Sequence, residues 1–236
     1  MHRLIEECED GRVPRTQEAL VAEAERRWQP ERFPSFAVSE AFRRLVTTAI
    51  LPAWVREYGA VPAALAREVG FEFEFAGATV TGKIDRIGPA RDGVQITDYK
   101  TGKARSAEEP GSNLQLGIYY LALQRTPELA ALGPVRAVQL AFLRDLRGGQ
   151  ITHVSKAFLA DEPEYRQTME DRLTGLIERL AALREGEVYR PDPAANCRFC
   201  DFRSLCPLWP EGRELFPVTV PVPVPMPVTE GPEGAS

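Results

Sequence analysis

Gly82-Lys83-Ile84-Asp85-Arg86-Ile87, followed after a reversal by Ile96-Thr97-Asp98-Tyr99-Lys100, is the stretch on which the reading of this chain turns. The intervening Gly88-Pro89-Ala90-Arg91-Asp92-Gly93 is rich in turn formers, so the segment predicts two strands joined over 88–93. Strand side chains alternate between faces, which places Asp98 and Lys100 on one side of the second strand. Asp85, near the middle of the first strand, can reach the same face. Two carboxylates and an ammonium beside a sheet are costly to bury unless a divalent metal offsets the desolvation. With Mg²⁺ or Mn²⁺ between the carboxylates and the lysine orienting a water, the group suits phosphodiester hydrolysis. A lone D-x-K would describe only solvated charges on a hairpin, so the flanking segments carry the decision.

Upstream, Glu68-Val69-Gly70-Phe71-Glu72-Phe73-Glu74-Phe75 alternates aromatics with acids, the pattern of a half-buried strand, and Gly77 turns it into the strand of Asp85. Glu72 and Glu74 are expected to face solvent. Residues 36–58 read as a helix with Phe42, Leu45, Val46, Ile50 and Trp54 inward and a kink at Pro52. Residues 1–28 are helical in period, with Leu4, Ile5 and Cys8 on one side, then Ala19, Leu20 and Ala24 after a break at Gly11–Pro14. Downstream, a helix over 114–124 sets Gln115 and Tyr119 four apart on one face. Val135–Leu143 and Gln150–Lys156 read as strands across an Arg147-Gly148-Gly149 turn. A long helix over 161–186 has Leu173, Ile177, Leu180 and Leu183 as its stripe. The alternation predicts an α/β sandwich around a mixed sheet.

The order G-x-I-D-R-I, turn, I-x-D-Y-K-T-G, then Q-x-x-x-Y resembles the nuclease core of the PD-(D/E)XK superfamily, in its RecB/AddB-type branch. That resemblance implies a restriction-endonuclease-like mixed central sheet flanked by helices. It also implies a Mg²⁺- or Mn²⁺-dependent deoxyribonuclease, an exonuclease working beside a helicase in DNA repair or recombination. Asp85 and Asp98 would ligate the metal, with the Tyr99 backbone carbonyl as a further ligand. Lys100 would position the attacking water, and Gln115 and Tyr119 would orient Lys100 or touch the DNA backbone. His2 matches by position the histidine that helps bind the metal in this branch, without the phrase that usually precedes it. Glu68 matches an accessory acid at the start of its strand. The chain lacks a Walker A motif and the earlier Cys-Pro helix of the branch, so a C-terminal piece of a larger protein or a divergent short form is expected.

Length and composition bound the rest. At 236 residues, one domain with appendages is expected, 1–210, and the 44% hydrophobic content supplies a sizeable core. The net charge of −5 is unusual for a chain that grips nucleic acid by itself. A local patch or a partner, such as a helicase subunit, is therefore expected to help hold DNA, as single strands or unwound duplex ends. No apolar run is long enough to span a membrane, and the N-terminus lacks a signal-peptide core, so a cytoplasmic location is expected. Pro217–Ser236, a Pro-Val repeat, is expected to be a polyproline-like or disordered tail, within a tail assigned to 211–236.

A second constellation lies at 196–207, where Cys197, Cys200 and Cys206 form C-x₂-C-x₅-C-P. Clustered thiols in a cytosolic chain fit a metal better than disulfides. The spacing resembles the end of the AddB-type motif that staples the domain around a [4Fe–4S] cluster, with zinc as the alternative. Cys8, the remaining cysteine, is the candidate fourth ligand and equally fits the apolar side of its helix. Two rival readings are a nuclease-fold scaffold that binds DNA or a helicase without cutting, and a zinc-stapled interaction module.

Overall fold

The computed structural model describes residues 1–104, 110–158, 163–186, 197 and 200–209. The chain divides into two compact units, Met1–Glu178 and Arg179–Ser236. The expected tail and most of 187–199 lie outside the described residues.

Met1–Glu178 is built on a five-stranded mixed sheet in the order β1-β2-β3-β4-β5. The strands are β1 (Ala66–Phe75), β2 (Ala78–Ala90), β3 (Gly93–Lys100), β4 (Val135–Arg147) and β5 (Gln150–Ala157). Neighbours are antiparallel except β3 and β4, which run parallel. A parallel pair needs a crossover, and α5 (Leu114–Arg125) with the short α6 (Pro127–Ala130) lies on it. The hairpins are tight because residues able to take positive φ sit where two-residue turns require them: Ala76 and Gly77, and Gly148 and Gly149.

One expectation is corrected here. The reversal between the two core strands is not six residues long; pairing continues through Gly88, Pro89 and Ala90 to Gly93, leaving Arg91 and Asp92 as the turn. Pro89 is tolerated because Val94, opposite it, sends its N–H to Pro134 O of the β4 side, so that pair lacks a β2–β3 bond.

Two apolar layers cover the sheet. On one face, Ile84, Ile87, Val94 and Ile96 pack against Leu116, Tyr120 and Leu123 of α5 and against Tyr165, Met169 and Leu173 of α7 (Pro163–Glu185). Gly117 permits the approach of α5 to α7, since a Cβ there would collide with the sulfur and Cγ of Met169. On the other face, Tyr99, Ala141 and Leu143 pack against α1 (His2–Glu9), α2 (Gln17–Arg26), α3 (Phe36–Leu45) and α4 (Leu51–Tyr58). α3 runs into α4 through a π-helical turn, Val46–Ile50. That wide turn stands where Pro52 would otherwise press on the carbonyl four residues earlier, so the expected kink is taken up as a bulge. The stripe expected on the long helix holds at Leu173 and Ile177 but not at Leu180, which is 46% exposed.

Candidate active site

The site forms where β2 and β3 part. Their pairing ends at Arg86 and Thr97, although the same register would set Asp85 opposite Asp98. Asp85 Oδ2 instead accepts the backbone N–H of Tyr99 at 2.8 Å, replacing the missing ladder bond with a side chain. On the other side of β2, the register places Glu68 opposite Asp85, between the pairs Arg67–Arg86 and Val69–Ile84. Glu68 has φ +46°, a left-handed value that costs a non-glycine residue energy. The pleat is interrupted there on both strands: Ile84 and Ile87, three apart, enter the same core layer. Arg86 lies in the other layer, over the ring of Tyr58. The interruption frees Glu68 and Asp85 from the regular alternation.

His2 of α1 joins these two carboxylates. One ligand atom from each of His2, Glu68 and Asp85 lies within 4.8 Å of the others. They line a cavity of about 10 Å³ together with Glu6, Glu9, Arg67, Arg86 and Tyr99, a volume on the scale of one small ion or water. Like charges set opposite one another on paired strands are destabilising, and His2 Nε2 is buried without a hydrogen-bond partner among the described residues. Burial, then the charge of Asp98 and more weakly that of Glu68, pushes the Asp85 carboxyl above its ordinary range, against the Tyr99 N–H that holds it down. An imidazole nitrogen and two crowded carboxylates are a donor set that a Mg²⁺ or Mn²⁺ ion satisfies, so the residues fit the divalent metal that the sequence resemblance implies.

Asp98 belongs to a second, adjoining group. Lys100 Nζ pairs with Asp98 Oδ2 at 2.8 Å and donates to Gln115 Oε1 at 2.7 Å. Gln115 Nε2 donates to Asp98 Oδ1 at 3.0 Å and to the Tyr119 hydroxyl at 2.7 Å, and that hydroxyl donates to Asp98 Oδ1 at 3.3 Å. The four side chains meet because Asp98 and Lys100 share one face of β3 while Gln115 and Tyr119 share one face of α5. Asn113 caps α5, its Oδ1 accepting from Leu116 N–H, so the helix begins just ahead of Gln115. Burial, and then the Asp98 charge, raises the Tyr119 hydroxyl, which stays protonated as a donor. Lys100, 32% exposed, is the member of the group that opens to solvent, whereas Asp98 is 5% exposed.

The expected ligand pair Asp85 and Asp98 is thus divided between two groups, joined at Tyr99. Tyr99 lines the cavity, gives its N–H to Asp85, and buries its ring in the helical layer, where its hydroxyl accepts from Trp54 Nε1 at 3.3 Å. Two charged partners escaped the sequence reading. Lys83 pairs with Glu68 at 2.7 Å, and Arg86 forms a buried pair with Glu9 at 3.0 Å. The Arg of I-D-R-I signalled the latter, as did the placing of Glu9 seven residues, two helical turns, after His2.

Cys8 is fully buried in the helical layer, its Sγ donating to Pro14 O at 3.7 Å, and burial pushes its thiol up to about 11. It is placed as a core thiol. In the C-terminal unit, successive turns link Cys197, Cys200, Arg203 and Cys206: Cys200 N–H to Cys197 O, Arg203 N–H to Cys200 O and Cys206 N–H to Arg203 O. Among the described residues their sulfurs are not gathered as the His2 set is.

The chain belongs to the PD-(D/E)XK nuclease superfamily, which it matches over residues 1–207. It is similar to the Gene 69 proteins of two mycobacteriophages. Identity is 28% with that of phage D29, over 60% of this chain and 48% of the relative, and 26% with that of phage L5, over 60% and 44%. The chain thus spans about half the length of these curated relatives. Among solved structures it is similar to a candidate exonuclease from Eubacterium rectale, with TM-score 0.40 and 14% identity over 71% of this chain and 59% of that one. It is also similar to the protein SSO0001, with TM-score 0.32 and 17% identity over 72% and 74%. Among the described residues, no helix is long and apolar enough to cross a membrane.

Proposed function

We propose that the chain is the catalytic part of a divalent-metal-dependent DNA exonuclease of the RecB/AddB type. The observation that carries this is the juxtaposition of two groups at the parting of β2 and β3. His2, Glu68 and Asp85 form a metal-competent set, and Asp98, Lys100, Gln115 and Tyr119 form a network joined to it through Tyr99. His2, Glu68 and Asp85 would hold Mg²⁺ or Mn²⁺, with Asp98 and the Tyr99 carbonyl beside them as further ligands. A cation held there supplies Lewis acidity at a phosphate oxygen and makes water more acidic.

The chain's own residues do the remainder. Gln115 holds Lys100 through its Oε1, so the ammonium is aimed before substrate arrives. Lys100 orients the attacking water and stabilises charge as it develops on the phosphate. Asp98, held by Gln115 and Tyr119, anchors Lys100 from the other side, its Oδ2 2.8 Å from Nζ.

A helicase partner and a role in DNA repair are the setting that the RecB/AddB-type resemblance suggests. At the C-terminus, Cys197, Cys200 and Cys206 would bind a [4Fe–4S] cluster, or zinc, as a structural staple.

The test is cleavage of linear DNA, end-labelled on either strand, with Mg²⁺, Mn²⁺ or EDTA. Metal-dependent release of short products from the ends is expected, and its loss in Asp98→Ala and Lys100→Ala protein that melts like wild type. Undiminished cutting by either variant would sink the assignment. Iron and zinc analysis of anaerobically purified protein decides the staple. Iron with visible absorption near roughly 400 nm, lost in Cys200→Ser, supports the cluster; neither metal defeats it.

A further inference from the structure

A groove of about 850 Å³ lies on the far side of α1 from the metal-competent cavity. Met1, Arg3, Leu4 and Glu7 face this groove, whereas His2, Ile5, Glu6 and Glu9 face the cavity, so one helix is the wall between them. The groove's lining is basic although the chain is acidic. Arg3, Arg26, Arg27 and Arg32 line it with one carboxylate, Glu7, which pairs with Arg3 at 3.1 Å and Arg27 at 2.6 Å, while Glu23 nearby pairs with Arg26 and Arg27, so four guanidiniums face two carboxylates. Arg32 is exposed and has no ion-pair partner among the described residues. Its floor is aromatic. Trp28 and Phe33 are stacked in parallel, 5.3 Å apart at 10°, and Phe42 tilts against both. The indole is fixed by Nε1–H donating to Ser39 Oγ at 2.8 Å, and both Trp28 and Phe33 remain partly exposed. Arg144 adds a guanidinium 5.1 Å from the Phe42 ring.

We propose that this groove is a binding track for single-stranded DNA that delivers the strand, around α1, to the site on its other side. The combination is chemically selective. Guanidiniums follow the phosphates, and rigid aromatic faces stack on unpaired bases, which a duplex keeps covered. A basic groove in a chain of net charge −5 also concentrates its phosphate affinity beside the candidate active site. The proposal deepens the nuclease reading, on which it rests for the purpose of the track.

The test is anisotropy of a labelled oligo(dT) of about 16 nucleotides with the whole chain in EDTA, where binding is read without cleavage. Wild type is expected to bind oligo(dT) more tightly than a blunt hairpin duplex. Phe33→Ala should weaken binding about 5- to 100-fold, the loss of one stacked base. Arg32→Ala should lower the slope of log affinity against log salt by about 0.7, one phosphate contact on a single strand. Arg91→Ala, whose side chain is 97% exposed on the β2–β3 turn, should change neither. Wild-type affinity and slope in the Arg32 variant, an equal loss in the Arg91 control, preference for the duplex, or preference for oligo(rU) would each overturn the proposal. If Phe33→Ala fails to fold, the exposed Arg32 decides alone. Cleavage is scored separately with Mg²⁺: cutting with unaffected groove variants removes the track but keeps the nuclease, and groove-dependent binding without cutting does the reverse.

Discussion

Glu9→Ala tests the buried ion pair behind the site. Glu9 and Arg86 have side chains only 2% and 6% exposed, and Glu9 Oε1 takes the Arg86 Nε–H at 3.0 Å while its Oε2 takes the Ala64 backbone N–H at 2.6 Å. Truncation leaves a guanidinium and an amide in an apolar layer with Tyr58 beneath them. Removing one partner of a buried pair costs about 3–5 kcal/mol, which for a chain of this size lowers Tm by roughly 6–20 °C. Glu9→Met combined with Arg86→Met should cost less than the two single changes added together, since neither charge is then stranded. Gly88→Ala should approach the Glu9 effect, because a Cβ there would run into the Arg86 guanidinium. The assay is thermal unfolding followed by circular dichroism, with urea melts for the cycle. A Glu9→Ala protein melting within about 2 °C of wild type, or a strictly additive double variant, would refute the reasoning.

Gln115→Ala should reduce cleavage about 10- to 100-fold by releasing Lys100 while leaving metal affinity within about threefold, and Tyr119→Phe should cost less; an unchanged rate in Gln115→Ala protein speaks against Lys100 being aimed by it. The raised Asp85 carboxyl contributes stability to the metal-free protein at low pH and loses it as pH rises through its folded pKa. Divalent metal requires the deprotonated form, so Mn²⁺ affinity by calorimetry should fall from pH 7.5 to pH 5, and a flat profile would exclude Asp85 as a ligand. Gly117→Ala should cost about 1–3 kcal/mol by overpacking Met169 despite the better helix propensity, and Met169→Ala in the same chain should recover part of it; urea denaturation measures both.

Much of this fold is written in local pattern. The aromatic–acid alternation of 68–75 gives β1, and the D-x-K spacing puts Asp98 and Lys100 on one face whatever surrounds them. The four-residue spacing of Gln115 and Tyr119 gives them one face of α5. These follow from the periods of strand and helix, which are properties of the chain alone. The partnering of the carboxylates is not. Whether Asp98 meets Asp85 or Lys100 depends on β2 and β3 parting after Arg86 and Thr97, and on the left-handed turn of backbone at Glu68. The close placing of His2 depends on how α1 lies on the sheet. The helical period put Cys8 on the apolar side of α1; only packing showed that its Sγ meets Pro14 O. The periodic stripe of α7 marked its apolar side but could not tell that Leu180 would remain exposed. Sequence fixes which side chains share a face, because that depends on backbone period; tertiary structure decides which faces meet, because that depends on where strands separate and helices pack.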